Sequence, residues 1–147
     1  SKYVLYSNIN YAGVKHMNRI DQSIAAHDLL YNSKYDDMIL VNDKKNIIET
    51  ISSNIFFVKQ SNSKLNFYTP KIEKCGVEGI MRNKVIEWLE KRNYKMIIKQ
   101  IPTKNIHEYD YCFITNSIKG LRFVKKINSR KYKDPSPLLE VFESLVV

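Results

Sequence analysis

The chain has 147 residues, 44% hydrophobic and 27% charged, which is the size and balance of one globular domain with its own core. Its net charge is +9, but the basic residues are spread along the whole length, no RNA-recognition signature or zinc-finger spacing occurs, and no run approaches the roughly 18 apolar residues that cross a bilayer, so nucleic acid and membrane are set aside as partners. Residues 1–6 are too short and polar for a secretory signal, and Cys75 and Cys112 form neither a CxxC pair nor a metal-ligand spacing, which points to a reducing cytoplasm and no metal.

In chain order, residues 3–6 predict a short strand and residues 8–13 a polar loop. Asn18 suits the cap of a helix in which Ile20, Ile24, Ala25 and Leu29 recur at helical spacing, with Asp21, His27 and Asp28 outside the stripe. The period then changes. Residues 38–41, 47–50, 54–58 and 65–68 predict four strands, joined by polar turns at 42–46 and 60–63 and ended by Thr69-Pro70; the expected arrangement is an antiparallel meander. Asp36-Asp37 reads as a helix-to-strand turn. Gly76 and Gly79 bracket a loop into a helix whose stripe is Met81, Val85, Trp88 and Leu89. Residues 94–101 predict a strand, 102–109 a short helix, 111–114 and 124–127 two further strands. Ser136-Pro137 has the form of a cap and first helical residue, and Leu138, Phe142 and Leu145 line the closing helix. The expectation is a mixed α/β fold in one domain. The chain opens directly on a strand whose following loop reaches a motif, which reads as a piece of a longer protein.

Three segments carry the chemistry: residues 12–19 (Ala-Gly-Val-Lys-His-Met-Asn-Arg), residues 49–56 (Glu-Thr-Ile-Ser-Ser-Asn-Ile-Phe), and Tyr68-Thr69-Pro70 leading to residues 75–82 (Cys-Gly-Val-Glu-Gly-Ile-Met-Arg). Singly, each has a bland explanation: a surface lysine, a solvated glutamate, a glycine turn. Together, and in this order, they resemble the class IV, or fold-type IV, pyridoxal-phosphate enzymes, a family that includes branched-chain and D-amino-acid aminotransferases and 4-amino-4-deoxychorismate lyase. The motif elements are Glu49, Ser53-Asn54, Thr69-Pro70 and the turn Gly76-x-x-Gly79-Ile80-x-Arg82. Lys15 and Glu49 lie 34 residues apart, the separation the family shows between its cofactor lysine and the carboxylate on the pyridine nitrogen. Lys15-His16-x-Asn18-Arg19 is the form of the lyase subgroup, whereas Ile20 stands where branched-chain aminotransferases carry a tyrosine.

The resemblance covers essentially the whole chain and implies pyridoxal 5'-phosphate as cofactor. The fold it implies is the C-terminal pseudo-barrel domain of a D-amino-acid-aminotransferase-like enzyme, spanning residues 1–147, with an N-terminal domain absent from this chain. Lys15 would supply the amine that binds the cofactor aldehyde and then serve as acid and base, since only lysine offers such an amine. Glu49 would keep the pyridine nitrogen protonated. The amides of Ile80 and Met81, at a helix start, and the turn Asn116-Ser117 would grip the phosphate, with Ser53 and Asn54 against the ring or holding the loop. His16 would position rather than react. The implied function is release of pyruvate and 4-aminobenzoate from 4-amino-4-deoxychorismate, a carbon–oxygen lyase step in folate synthesis, by a cytoplasmic enzyme that is a homodimer at full length. This chain alone is expected to be inactive. The alternatives are a branched-chain or D-amino-acid aminotransferase and a truncated, non-catalytic cofactor-binding module.

Overall fold

Two uninterrupted apolar runs, residues 55–58 and 111–114, set the layering. The computed structural model describes residues 3–5, 10, 12–14, 19–31, 34–143 and 145. Its elements are helix α1 (Ile20–Tyr31), strands β1 (Ile39–Val41), β2 (Asn46–Thr50), β3 (Asn54–Ser61) and β4 (Lys64–Pro70), helix α2 (Ile80–Lys91), strands β5 (Lys95–Lys99) and β6 (Ile101–Pro102), a 3-10 segment (Thr103–Glu108), strands β7 (Tyr111–Asn116), β8 (Gly120–Phe123), β9 (Lys126–Ile127) and β10 (Arg130–Lys131), and helix α3 (Ser136–Phe142).

Strand side chains alternate between faces. Phe56 and Val58 of β3, with Tyr111 and Phe113 of β7, enter one core together with Val85 and Leu89 of α2 and Leu138, Val141 and Phe142 of α3. Ile55 and Phe57, with Cys112 and Ile114, enter a second core with Val41, Ile47 and Ile101. The central strands are therefore buried on both sides, which is why they read as unbroken apolar runs rather than as alternating ones. Phe56 pairs with Phe113 across the ladder, and their rings stack at 4.8 Å.

The two cores are separated by a five-stranded sheet of order β5-β4-β3-β7-β8, and a three-stranded sheet β1-β2-β6 closes the second core. The four-strand meander expected from sequence is thus two hairpins in different sheets: β1 pairs with β2, and β3 with β4, but β2 continues to β6 and β3 to β7. The turn between them is tight, with Thr50 N–H donating to Ser53 O (2.8 Å) and Ser53 N–H to Thr50 Oγ1 (3.1 Å). The Asp37 carboxylate accepts Met38 and Ile51 N–H, which gives Asp36-Asp37 the turn role expected of it. Asn62 and Ser63 both take positive φ at the β3–β4 hairpin, as a two-residue reverse turn requires.

Other expectations shift. Residues 94–101 are not one strand: β5 runs parallel beside β4 after the α2 crossover, and β6 leaves for the other sheet, because Ile101 belongs to the second core. Sequence reading did not foresee strand β8: Leu121 and Phe123 alternate with Arg122 and pack on the first core, but four residues are too short a run to stand out, and Val124 lies outside β9. Helix α3 is capped from outside: Pro135 holds the cap position and the Asp134 carboxylate accepts the Ser136 N–H (3.0 Å). In α1 only Ala25 is buried, against Leu5, Leu40, Ile48 and Cys75, whereas Ile20 and Ile24 are exposed. Helical spacing identifies residues sharing a face; what that face meets depends on other elements, and the described core below α1 is small. Residues 3–5 lie along β1, with Leu5 N–H donating to Val41 O (2.8 Å); Tyr6 and Asn18 lie outside the described residues. Among the described residues no helix is long and apolar enough to cross a membrane.

Candidate functional site

Glu49 is the next-to-last residue of β2 and is 3% exposed. Both of its oxygens are held: Oε2 accepts the Val77 N–H (3.0 Å), and Oε1 accepts the Gln22 side-chain amide from α1 (3.1 Å). Burial pushes its pKa above the usual carboxylate value, against the opposing pull of those two hydrogen bonds and of the Arg19 guanidinium. Among the described ion pairs none involves Glu49. A buried carboxylate in this state is short of a proton or of a positively charged partner.

The loop that covers Glu49 is shaped by glycine. Gly76 has φ +91°, and a Cβ there would lie 2.5 Å from Ile48 Cγ2 and 3.6 Å from Glu49 Oε2. The same loop is laced to the segment preceding Lys15: Gly13 N–H donates to Gly76 O and Glu78 N–H to Gly13 O, both at 3.0 Å. Beyond that segment, Arg19 donates to Ile51 O (3.1 Å). Lys15, His16, Met17 and Asn18 lie outside the described residues; Gly13 before them and Arg19 after them are fastened to elements around Glu49.

The start of α2 is fixed by Asn54. Its Oδ1 accepts Gly79 N–H (3.1 Å) and its Nδ2 donates to Val77 O (2.7 Å). Gly79 is required here because a Cβ would fall 2.4 Å from Asn54 Oδ1. The cap residue Gly79 makes no side-chain cap bond, and no acidic side chain occupies the first turn. The N–H groups of Ile80, Met81 and Arg82 therefore have no helical carbonyl to bond, which makes this end a receptor for an anion. The side chain of Ile80 is exposed and that of Met81 half-buried.

Thr115 pairs with Asn54 across the ladder and lies on the same sheet face as Phe113, the face that carries α2. Its hydroxyl is buried without a hydrogen-bond partner, an orphaned polar atom that costs free energy unless a ligand or water meets it. Asn116 spends its side chain on the fold, donating to Ser52 O and accepting Ile118 N–H (2.8 Å). Ser117, next in that turn, is exposed. Ser53 is buried in the Thr50–Ser53 turn, and Ser52 bonds Asp37. Arg82 is buried, donates to Pro70 O (3.2 Å) and clamps the end of β4 against α2.

Glu49, Ser53, Asn54, the start of α2 and the 116–117 turn are thus joined through a chain of contacts at one end of the two sheets. Sequence reasoning missed Gln22, the Val77 amide and Thr115. Gln22 had a faint signal: it falls three residues before buried Ala25, so it is a polar residue on the one α1 face that meets the core. Val77 acts through its backbone, which no side-chain pattern announces.

The family described as amino-transferase class IV matches residues 5–127. An aminodeoxychorismate lyase of Vibrio harveyi is 30% identical over 127 residues, covering 86% of this chain and 45% of the relative. The crystal structure of 4-amino-4-deoxychorismate lyase from Pseudomonas aeruginosa superposes with a TM-score of 0.85 at 21% identity, over 99% of this chain and 54% of that one. A branched-chain amino acid aminotransferase of T.th., complexed with N-(5'-phosphopyridoxyl)-L-glutamate, gives 0.80 at 19% identity, over 97% and 48%. The chain spans about half the length of these relatives.

Proposed function

Because the chain belongs to the class IV aminotransferase family, we propose that it is the cofactor-bearing C-terminal half of a pyridoxal-phosphate-dependent 4-amino-4-deoxychorismate lyase. The observation that carries this reading is the buried Glu49, held on both oxygens yet in no ion pair among the described residues, at one end of a cluster whose other end offers free helix amides. The pair suits a flat ring with a protonatable nitrogen and a phosphate. The orphaned Thr115 hydroxyl beside Asn54 fits the same occupant.

Glu49 would hold a proton at the pyridine nitrogen through a charge-assisted hydrogen bond, and that proton's positive charge would relieve the buried carboxylate. The Ile80 and Met81 amides and the Asn116-Ser117 turn would bind the phosphate. The cofactor's contribution is a ring that withdraws electrons and stabilises negative charge at the reacting carbon. Lys15 would anchor the cofactor aldehyde and take the proton from the amine-bearing carbon of the substrate. The enolpyruvyl group leaves, is protonated and departs as pyruvate; the remaining ring aromatises to 4-aminobenzoate. Ser53 and Asn54 would keep the loop in place. Substrate contacts from an N-terminal half, and a homodimer, complete this reading, so the chain in isolation should bind cofactor with little turnover.

The lyase choice rests on the Lys15-His16-x-Asn18-Arg19 form and on the lyase relative. The test adds pyridoxal phosphate to the chain and to Lys15→Ala and records absorbance. A band from the lysine–aldehyde adduct in the wild type, absent in the variant, is expected; equal spectra would remove Lys15 from the site. Fusing the chain to the N-terminal half of a relative and supplying 4-amino-4-deoxychorismate should then yield pyruvate without a keto acid. A requirement for a keto acid would favour an aminotransferase instead.

A further inference from the structure

Two donors hold Glu49, and they differ in kind. The Val77 N–H belongs to the backbone, but the second donor is a side chain from another element: Gln22 reaches from α1 and donates to Oε1 at 3.1 Å. We propose that Gln22 is a positioning residue whose carboxamide fixes the orientation and the charge state of Glu49, so that α1 governs how readily the carboxylate accepts a proton. An ionised carboxylate accepts only, and both neighbours offer N–H, so the arrangement matches the ionised form and resists the protonated one. Each oxygen keeps lone-pair capacity beyond these two bonds, so holding it does not block it.

The other groups around Glu49 do not duplicate this role. Arg19 acts on it through space while its own hydrogen bond goes to Ile51 O. Cys75, on the covering loop, has its thiol pushed up to about 11 by burial and stays neutral. Burial itself drives Glu49 toward the protonated form. Gln22 is therefore the replaceable counterweight. This inference rests on the cofactor reading for its purpose, since a carboxylate facing a pyridine nitrogen must stay ionised to keep that nitrogen protonated; the contact itself is independent of it.

The experiment uses the cofactor-free chain labelled with 13C-glutamate, following the Glu49 side-chain carbonyl signal with pH and assigning it by its loss in Glu49→Gln. Gln22→Leu should raise the Glu49 midpoint by about one pH unit, the effect of losing one hydrogen bond to a charged group. Gln22→Lys should move it the other way, because an ammonium in place of the amide favours the ionised form. Thermal melts verify that both variants fold; if Leu does not, Gln22→Met takes its place, with the same upward shift expected. A role confined to anchoring α1 would change the melts and leave the midpoint where it is, and that result overturns the proposal. An upward midpoint shift in the apolar variant supports it even if pyridoxal phosphate gives no absorbance band with the wild type, which would count against the cofactor reading only.

Discussion

Gly76→Ala separates two costs that the covering loop imposes. The backbone at position 76 has φ +91°, which an L-residue adopts only under strain of about 1–3 kcal/mol. The new Cβ would also sit 2.5 Å from Ile48 Cγ2. Ile48 is buried on β2 beside Glu49 and has little room to retreat, so the overlap adds roughly 1–3 kcal/mol of overpacking. The single variant should therefore lose about 2–6 kcal/mol. The assay is a double-mutant cycle by urea unfolding in which the second change is Ile48→Ala. Removing Cγ2 abolishes the overlap and leaves the φ strain, so Gly76→Ala should cost only about 1–3 kcal/mol in the Ile48→Ala background. Identical costs in both backgrounds would mean that the loop does not press on β2 as described. The same displacement should loosen the Val77 N–H from Glu49, visible as faster amide exchange at Val77 in the folded single variant.

Glu49 gives a pH signature. Its folded pKa is raised above 4.5, so the stability it contributes is complete below that value and is lost as pH rises through the folded midpoint. Urea midpoints from pH 4.5 upward should fall for the wild type relative to Glu49→Gln; parallel curves would contradict the burial argument. Asn54→Ala removes the partners of Gly79 N–H and Val77 O together and should cost about 2–4 kcal/mol in urea unfolding. It should also weaken pyridoxal-phosphate binding in an absorbance titration by more than its neighbour Ser53→Ala, since only Asn54 touches the start of α2.

The strands and α2 were legible because their apolar runs are local facts: residues 55–58 and 111–114 could be little else. Their partners were not, since β2 and β3 are neighbours in sequence yet belong to different sheets. That separation depends on where Ile101 and Ile114 find a common core, which no window of residues contains. At the site, the motif order singled out Glu49, Asn54, Gly76 and Gly79, which the fold brings into one network of contacts. What it missed were contacts made across elements: the Gln22 amide, the Val77 backbone, and the Thr115 hydroxyl that only the ladder register brings beside Asn54. Asn116 shows the reverse, a polar side chain in a suggestive turn whose bonds go to its own turn and to Ser52 O.

Glu49 hangs from the three-stranded sheet, whereas Asn54 and, through it, the start of α2 hang from the five-stranded one. Between them along the chain lies only the four-residue corner Thr50–Ser53. The placement of these two anchors relative to one another therefore rests on one short corner, closed by the hydrogen bonds between Thr50 and Ser53. Lengthening that corner by a residue would move Asn54 and the start of α2 relative to Glu49 without changing any of the three.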